Sequence, residues 1–262
     1  LQHFHDDQRR FSNGRGSFQQ VVQNIELACQ HGLIPNICVT VTAKNAAGLA
    51  ELIEWILHRE LPFSINFFRQ NDYSGDHDLL QSDEANIIQG MLAAFKVIEQ
   101  NLPHYSLLNS LVDRADLSVA HERPCAAGDS YLVIDPAGRI AKCQMEINTP
   151  VTSVWATDPL QVVQVSTKGV QNFSVMEKEG CKDCHWKAWC AGGCPQETFR
   201  ATGRYDVKSP NCNIYKTLYP EVVRLEALRL LKYQQDFLYA SCCWRWKRII
   251  PIEKREKSVI QS

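Results

Sequence analysis

Cysteine is the residue type in this sequence whose number and spacing point most directly to chemistry. Seven of the eleven cysteines fall between residues 125 and 212. Cys181 and Cys184 form a C-x2-C pair, Cys190 follows after five residues, and Cys194 follows after three more. Because a tetrahedral metal site takes four ligands, seven thiols imply two sites, one of which lacks a fourth cysteine.

A predicted β-hairpin lies between two further cysteines. The turn sequence Asp135-Pro136-Ala137-Gly138 separates two strand-like runs, 131–134 and 139–142. Cys125 and Cys143 bracket this hairpin, so both could project from its base.

The choice between zinc and an iron–sulfur cluster depends on how the cysteines are grouped. A run of the form C-x2-C-x5-C-x3-C could make a structural zinc site, but zinc usually draws its ligands as two separate pairs. Packed runs are common in iron–sulfur sites. Gly192 and Gly193 lie where the backbone must bend around a bulky group, and Cys212 supplies a later thiol. The spacing favours a cluster and leaves zinc open.

Composition narrows the class of protein. The chain has 262 residues, of which 45% are hydrophobic, and Lys and Arg total 28 against 29 Asp and Glu. This balance argues against nucleic acid as a partner. There is no apolar run long enough to span a membrane, and the polar start resembles no signal peptide. These features predict a cytoplasmic metal protein with no membrane partner. Residue 1 is Leu, which fits a chain that begins inside a longer one.

The first half alternates helix and strand patterns. Ser17 and Gln20 could form a capping box, Ser82 could cap a later helix, and strands are predicted over 37–42 and 64–68. We therefore expect an α/β fold over residues 1–103, formed by the end of a partial (β/α) barrel whose beginning is absent. A linker helix is expected over 104–119, a cysteine domain with a hairpin, loops and a final helix (214–234) over 120–236, and a tail over 237–262.

Several other side chains are candidates for minor roles. Cys29 and Cys38 are expected to be buried core thiols. Trp155, Trp186 and Trp189 could pack over sulfur or simply fill the core. Strand ends in α/β folds often bind ligands, so Asn66, Arg69 and Asn71 could line a substrate cavity, with a solvated strand end as the favoured alternative. For the basic, Trp-rich tail, a frayed terminus is preferred to a membrane or partner contact.

The cysteine pattern resembles the signature of the SPASM domain of radical-SAM enzymes. The matching elements are Cys125-x12-Gly138-x4-Cys143, then Cys181-x2-Cys184-x5-Cys190-x3-Cys194-Pro195, then Cys212. The resemblance implies two auxiliary 4Fe–4S clusters in an oxidoreductase that modifies a peptide or protein side chain, as ribosomal-peptide maturases do. It does not give the oligomeric state.

Chain reach and the same resemblance predict how the thiols divide. Cys181, Cys184, Cys190 and Cys212 should converge on one cluster, and Cys125, Cys143 and Cys194 on the other. Some relatives carry an extra cysteine where this chain has Tyr131. We therefore expect the fourth iron of the second cluster to be open, or to be filled by water, another side chain or substrate.

The N-terminal segment resembles the part of radical-SAM enzymes that follows the fourth barrel strand. The matching residues are His5-Asp6-x2-Arg9 and Gly16-Ser17-Phe18. By this resemblance Arg9 contacts S-adenosylmethionine, and the alternative is a surface ion pair with Asp6. The CxxxCxxC loop that binds the SAM-cleaving cluster is missing from these residues. The resemblance thus assigns S-adenosylmethionine cleavage and a third 4Fe–4S cluster to a longer parent protein, and the chain alone is expected to be inactive.

Two alternatives to a general peptide maturase stay open. Anaerobic sulfatase maturases are relatives by this resemblance, but they carry Asp, a proposed base, where this chain has Gln144. That difference counts against formylglycine formation and favours another peptide modification, such as a crosslink. The other alternative is a truncated fragment that only binds clusters or a peptide.

Overall fold

The computed structural model describes residues 1–69, 83–113 and 115–234. Within residues 1–69 and 83–103 the structure has four helices, a 3₁₀ turn and two strands. In chain order these are α1 (Gln2–Asp6), α2 (Phe18–Gln30), β1 (Ile37–Val41), the 3₁₀ turn Ala46–Gly48, α3 (Leu49–Leu57), β2 (Phe63–Phe67) and α4 (Glu84–Gln100).

Strands β1 and β2 form the parallel pair that the sequence predicts. Ile37 lies opposite Phe63 and Val41 opposite Phe67, and α3 makes the connection between the strands. Alternate residues are buried, so one face of the pair packs against α3 and α4. The expected parallel α/β arrangement is confirmed for this part of the chain.

Two predicted helix caps are wrong in detail. Ser17 is the N-cap residue of α2, but its side chain makes no capping hydrogen bond. Instead the Asp6 carboxylate accepts from the backbone N–H of Phe18 at 2.9 Å. In α4 the cap is Asp83, which accepts from the N–H of Asn86 at 3.1 Å, while Ser82 lies outside the described residues. A carboxylate caps a helix N-terminus well because it also complements the helix dipole.

The linker helix expected over 104–119 does not form in the part of that segment that the structure describes. Its residues make turns, and the backbone N–H of Ile65 in β2 donates to the Ser110 carbonyl at 2.7 Å. Leu107 and Leu111 are fully buried in the same core as the two strands. The segment runs along the outer edge of β2. Its backbone carbonyl there accepts from the strand, whereas in a helix the same group would bond within the helix.

The second half is built from short elements. The predicted hairpin is present, with Asp135 accepting from the N–H groups of Ala137 and Arg139 inside the turn. The elements are β3 (Val133–Ile134), β4 (Arg139–Ala141), the 3₁₀ turn Gln144–Glu146, β5 (Thr152–Ser153), α5 (Pro159–Val165), α6 (Lys187–Cys190), α7 (Pro195–Thr202) and α8 (Cys212–Lys232).

Helix α8 belongs to the second half of the chain but packs against the first half. It begins at Cys212, two residues earlier than predicted, and Pro220 lies inside it. Its face bearing Ile214, Leu218 and Leu225 is buried in the core formed by β1, β2, α3 and α4. Neither α8 nor any other helix in the described ranges is long and apolar enough to cross a membrane.

Candidate metal centre

Four of the seven clustered cysteines line one cavity. Cys181, Cys184, Cys190 and Cys212 line one small cavity of about 20 Å³, together with Trp186 and Tyr219. Within the described residues, no three His, Cys, Asp or Glu side chains converge at the spacing of a single-ion site. The four thiols share the lining of one cavity, and soft sulfur donors grouped in this way suit an iron–sulfur cluster.

Short turns and helix ends hold these four thiols in place. The N–H of Cys184 donates to the carbonyl of Cys181 at 3.0 Å, which fixes both residues on one turn. Cys190 is the last residue of α6, and Cys212 is the first residue of α8. Each thiol therefore stands at the end of an ordered backbone segment.

We call Cys181, Cys184, Cys190 and Cys212 the cavity group. Their thiols influence one another electrostatically. Burial raises the pKa of Cys181 to about 11, and the nearby Cys190, Cys212 and Cys184 add to the effect. Burial likewise raises the pKa of Cys190, with Cys212 and Cys184 among the causes. Four soft donors that would all become charged in one partly dry space fit a multiply charged metal cluster.

The other three clustered cysteines form a separate hairpin group. Burial raises the pKa of Cys143 to about 11, and the nearby Cys194 and Cys125 contribute to the rise. Cys143 follows β4, and its sulfur accepts from the N–H of Met145 at 3.4 Å. The Asn172 side chain donates to the carbonyl of Cys125 at 2.7 Å. The three thiols thus come from the hairpin base and the start of α7.

A left-handed turn sends the chain from one group to the other. Ala191, Gly192 and Gly193 have φ values of +48°, +79° and +71°. These angles reverse the chain between Cys190 in the cavity group and Cys194 in the hairpin group. Gly193 is confined by Ser209, because a Cβ there would lie 2.7 Å from the Ser209 Cβ. Glycine fits such positions because it has no Cβ to clash.

Tyr131 and Gln144, the two positions singled out by comparison with the SPASM pattern, meet beside Cys143. The Tyr131 hydroxyl donates to Oε1 of Gln144 at 2.7 Å. Tyr131 is 41% exposed, so this pair faces solvent at the hairpin base. Gln144 has an amide where a carboxylate would be needed to accept a proton.

A buried polar cluster lies between β2 and α7. Arg69, two residues past β2, pairs with Asp113, and its Nε lies 3.8 Å from Oε2 of Glu197. The Nε of Arg69, Oδ1 of Asp113, Oε1 of Gln196 and the hydroxyl of Tyr215 are buried without a hydrogen-bond partner. Unsatisfied buried polar atoms are unfavourable, so they mark a place where a ligand or water can bind. Arg69 is therefore not the solvated strand end that was favoured.

The remaining residues that the sequence suggested for minor roles do not form a common site in the described part of the chain. Asn66 donates to the sulfur of Cys38 at 3.0 Å. Cys29 and Cys38 are both exposed, so the prediction of buried core thiols is wrong. Their helix and strand turn these positions away from the core. Asn71 and the tail lie outside the described residues.

The three tryptophans have different environments. Trp186 lines the cavity and packs on Tyr219 with ring centroids 5.2 Å apart, and Trp189 packs edge-on against Trp186. Trp155 is 85% exposed, so it neither covers sulfur nor fills the core.

The N-terminal motif residues come together, although Arg9 itself is exposed. The Ser17 hydroxyl donates to the Arg9 carbonyl at 3.0 Å and contacts Nε2 of His5 at 2.9 Å. The hydrogen bond from Phe18 lowers the pKa of Asp6. The alternative ion pair between Asp6 and Arg9 is not found among the described residues.

Two residues beside the thiols were missed from the sequence. Tyr219 lines the cavity. Its spacing from Cys212 and Tyr215 places all three residues on one face of α8, so the sequence could have predicted that Tyr219 lies near the thiols. Lys178 is fully buried although lysine is usually exposed, and its position three residues before Cys181 gave no indication of this.

Comparison with known proteins shows the fold. No protein-family model matches the chain. An uncharacterized protein of Archaeoglobus fulgidus is 24% identical over 188 residues, which are 64% of this chain and 39% of that protein. The chain therefore spans about two fifths of this curated relative.

Solved structures match a larger part of the chain, at lower sequence identity. Native anSMEcpe with bound AdoMet and Cp18Cys peptide matches with a TM-score of 0.63 at 14% identity, over 87% of this chain and 67% of that one. A histidine-tagged form of anSMEcpe with bound AdoMet matches with a TM-score of 0.64 at 15% identity, over 90% and 66% of the two chains. The described mixed α/β fold is thus shared with anSMEcpe.

Proposed function

We propose that this chain is the auxiliary-cluster region of a radical-SAM enzyme that modifies a side chain of a peptide or protein. The observation that carries the proposal is the cavity walled by Cys181, Cys184, Cys190 and Cys212, with three further thiols grouped at the hairpin. In this reading residues 1–103 are the end of a partial barrel and residues 120–236 are a SPASM domain. Each thiol group holds one 4Fe–4S cluster.

The shared fold supports this proposal. anSMEcpe is a radical-SAM anaerobic sulfatase maturase, and its structures hold AdoMet and a peptide. By analogy, the parent protein of this chain would bind S-adenosylmethionine, with Arg9 as one contact, and a further cluster held by residues that this chain lacks. We place the parent in the cytoplasm, where thiols stay reduced.

When bound, the auxiliary clusters would supply a route for the electron left after hydrogen abstraction. The chain's own residues do the positioning. Trp186 and Tyr219 pack together beside the cavity thiols and limit access of water, which influences the reduction potential of a cluster. Arg69, Asp113 and Gln196 offer unpaired buried polar atoms that would hold the backbone or side chains of a substrate peptide.

Formylglycine formation is the less supported reaction. It would need a base at the position of Gln144, and an amide cannot accept a proton at neutral pH. The Gln144 oxygen already accepts from Tyr131. We therefore propose a different peptide modification, such as a crosslink.

Metal analysis of anaerobically purified chain tests the proposal. We expect brown protein with iron and acid-labile sulfide for two clusters. Cys181→Ala should remove about half of the iron, because it takes one ligand from one of two clusters. Cys29→Ala is the matched control, since Cys29 is exposed and far in sequence from both groups, and it should keep all of the iron. Colourless protein with stoichiometric zinc would overturn the proposal.

A further inference from the structure

A buried lysine lies against the turn that joins the two thiol groups. Lys178 is 0% exposed, and its Nζ donates to the Ala191 carbonyl at 3.1 Å. An ammonium group in a dry interior is unfavourable unless other charges compensate it. Its position therefore calls for negative charge nearby.

The charges that act on Lys178 come from thiols of both groups. Burial is the main cause that lowers the pKa of Lys178, and the nearby Cys181 and Cys190 of the cavity group offset part of this shift. Cys125 and Cys194 of the hairpin group act in the same direction. The contacts agree with this: the ammonium binds the turn between Cys190 and Cys194, and the N–H of Cys181 donates to the Lys178 carbonyl at 3.2 Å.

The turn between the two groups is shaped around this side chain. Gly192 has φ +79°, and a Cβ added there would lie 2.5 Å from Cδ and 2.9 Å from Nζ of Lys178. Ala191, the residue before it, has a φ of +48°, which a non-glycine residue rarely adopts, and its carbonyl accepts from the ammonium. The same three-residue turn therefore separates Cys190 from Cys194 and encloses the lysine.

We propose that Lys178 is a shared counter-charge for both clusters and raises the reduction potential of each. This inference rests on the proposed function, because it needs both clusters. A cluster held by thiolates gains one negative charge when it takes up one electron. A fixed positive charge nearby stabilises that reduced form, and the effect is strong where the dielectric constant is low. Lys178 acts on the clusters without contacting substrate, so it is a positioning residue.

Redox titration of the cluster-loaded chain, followed by electron paramagnetic resonance with dithionite as the reductant, tests this role. Lys178→Met removes the charge and keeps an unbranched side chain of similar length. Reduction of both clusters should become at least about tenfold less favourable, which is about 59 mV for a one-electron couple. Lys182→Met removes the same charge from an exposed lysine next to Cys181, so solvent screening should leave both potentials close to wild type.

The outcomes separate the charge from the packing of the side chain. The shared role would be overturned if Lys178→Met had the same reduction potentials as Lys182→Met. It would also be overturned if the reduction potential fell for one cluster alone. If Lys178→Met and Lys178→Gln lose iron, the iron content of Lys178→Arg tells whether the charge or the packing of the side chain is needed. Retained iron in the arginine variant supports the need for charge, and lost iron shows that Lys178 acts only by packing. Absence of iron and sulfide from the wild-type chain would refute the proposed function before any variant is compared.

Discussion

At the scale of single residues, the contact between Tyr131 and Gln144 bears on the chemistry of the hairpin group. This group has three thiols, and the Tyr131 hydroxyl is held by Gln144 beside Cys143. A fourth thiolate would complete the ligand set of a cubane cluster, whereas an open iron can bind an added ligand. Under the proposed function, the identity of residue 131 therefore decides whether the hairpin cluster can bind an added ligand.

Tyr131→Cys should close the open iron. The new thiol replaces a phenol at the position where some relatives carry a cysteine. We expect added cyanide to change the electron paramagnetic resonance spectrum of the reduced wild-type chain and to have no effect on the variant. Tyr131→Phe removes only the hydrogen bond to Gln144, so it should respond like wild type. A cyanide response that persists in Tyr131→Cys would contradict the prediction.

Chain reach and the family resemblance predicted a division of the thiols into two groups but not the surroundings of those groups. The spacing of cysteines and glycines limits where the chain can go, so the cavity group and the Gly192-Gly193 turn were predictable. Lys178 was not, because its side chain is enclosed by Ala191 and Gly192, which lie more than a turn further along the chain. Cys29 and Cys38 were misjudged because a thiol fits equally well on either face of an amphipathic element.

At the scale of elements, a buried ion pair on α8 binds the segment 104–119 to the core through hydrogen bonds. Glu226 and Arg229 are 6% and 4% exposed, and Arg229 donates to Glu226 at 2.7 Å. Glu226 also accepts from the Ser106 hydroxyl and the N–H of Leu107, both at 3.0 Å. The carboxylate therefore satisfies groups on two segments at once.

Glu226→Gln should reduce the free energy of unfolding by about 3 kcal/mol, because it removes the negative charge that compensates the buried Arg229. Glu221→Gln is the matched control, since it breaks a surface pair with Arg224 on the same helix and should cost about 0.5 kcal/mol. Denaturant unfolding of the chain measures both changes. Equal effects of the two variants would contradict the prediction.

Acid should remove the contribution of Glu226. Burial alone would raise its pKa, but the hydrogen bonds from Arg229, Leu107 and Ser106 hold the pKa below its usual value. A carboxyl group with a lowered pKa in the folded state adds stability above its unfolded pKa of about 4.3, and this stability is lost as pH falls through the folded value. The difference in unfolding free energy between wild type and Glu226→Gln should therefore shrink below about pH 4.3. A difference that stays constant down to pH 3, roughly one unit below that value, would contradict this.

Element positions were predicted where a local pattern determines them. The strands were placed within one residue of β1 and β2, since alternating burial fixes their register. The helix over 104–119 was wrong because its backbone bonds to β2, a contact between distant parts of the chain. The caps failed for the same reason at Ser17, where Asp6 from another element takes the place of the local side chain.

At the scale of the whole molecule, α8 joins the cavity group to the core of the first half. Its first residue, Cys212, lines the cavity, and Ile214, Leu218 and Leu225 are buried among β1, β2, α3 and α4. No local pattern predicts this, because a final helix could equally pack on its own cysteine domain. Its consequence is that a cluster bound in the cavity would fix the start of a helix on which the core depends.

Cys212→Ala and Cys125→Ala should therefore differ in stability although each loses about half of the iron. Cys212→Ala frees the first turn of α8, so the melting temperature should fall by several degrees, which corresponds to about 1–2 kcal/mol. Cys125→Ala removes a ligand of the hairpin group, which lies outside the core of the first half, and should lower the melting temperature less. Cys38→Ala should change neither iron nor melting temperature, since Cys38 is exposed. Anaerobic iron analysis and thermal unfolding measure these outcomes. Equal melting temperatures for the Cys212 and Cys125 variants would show that α8 does not transmit cluster binding to the core.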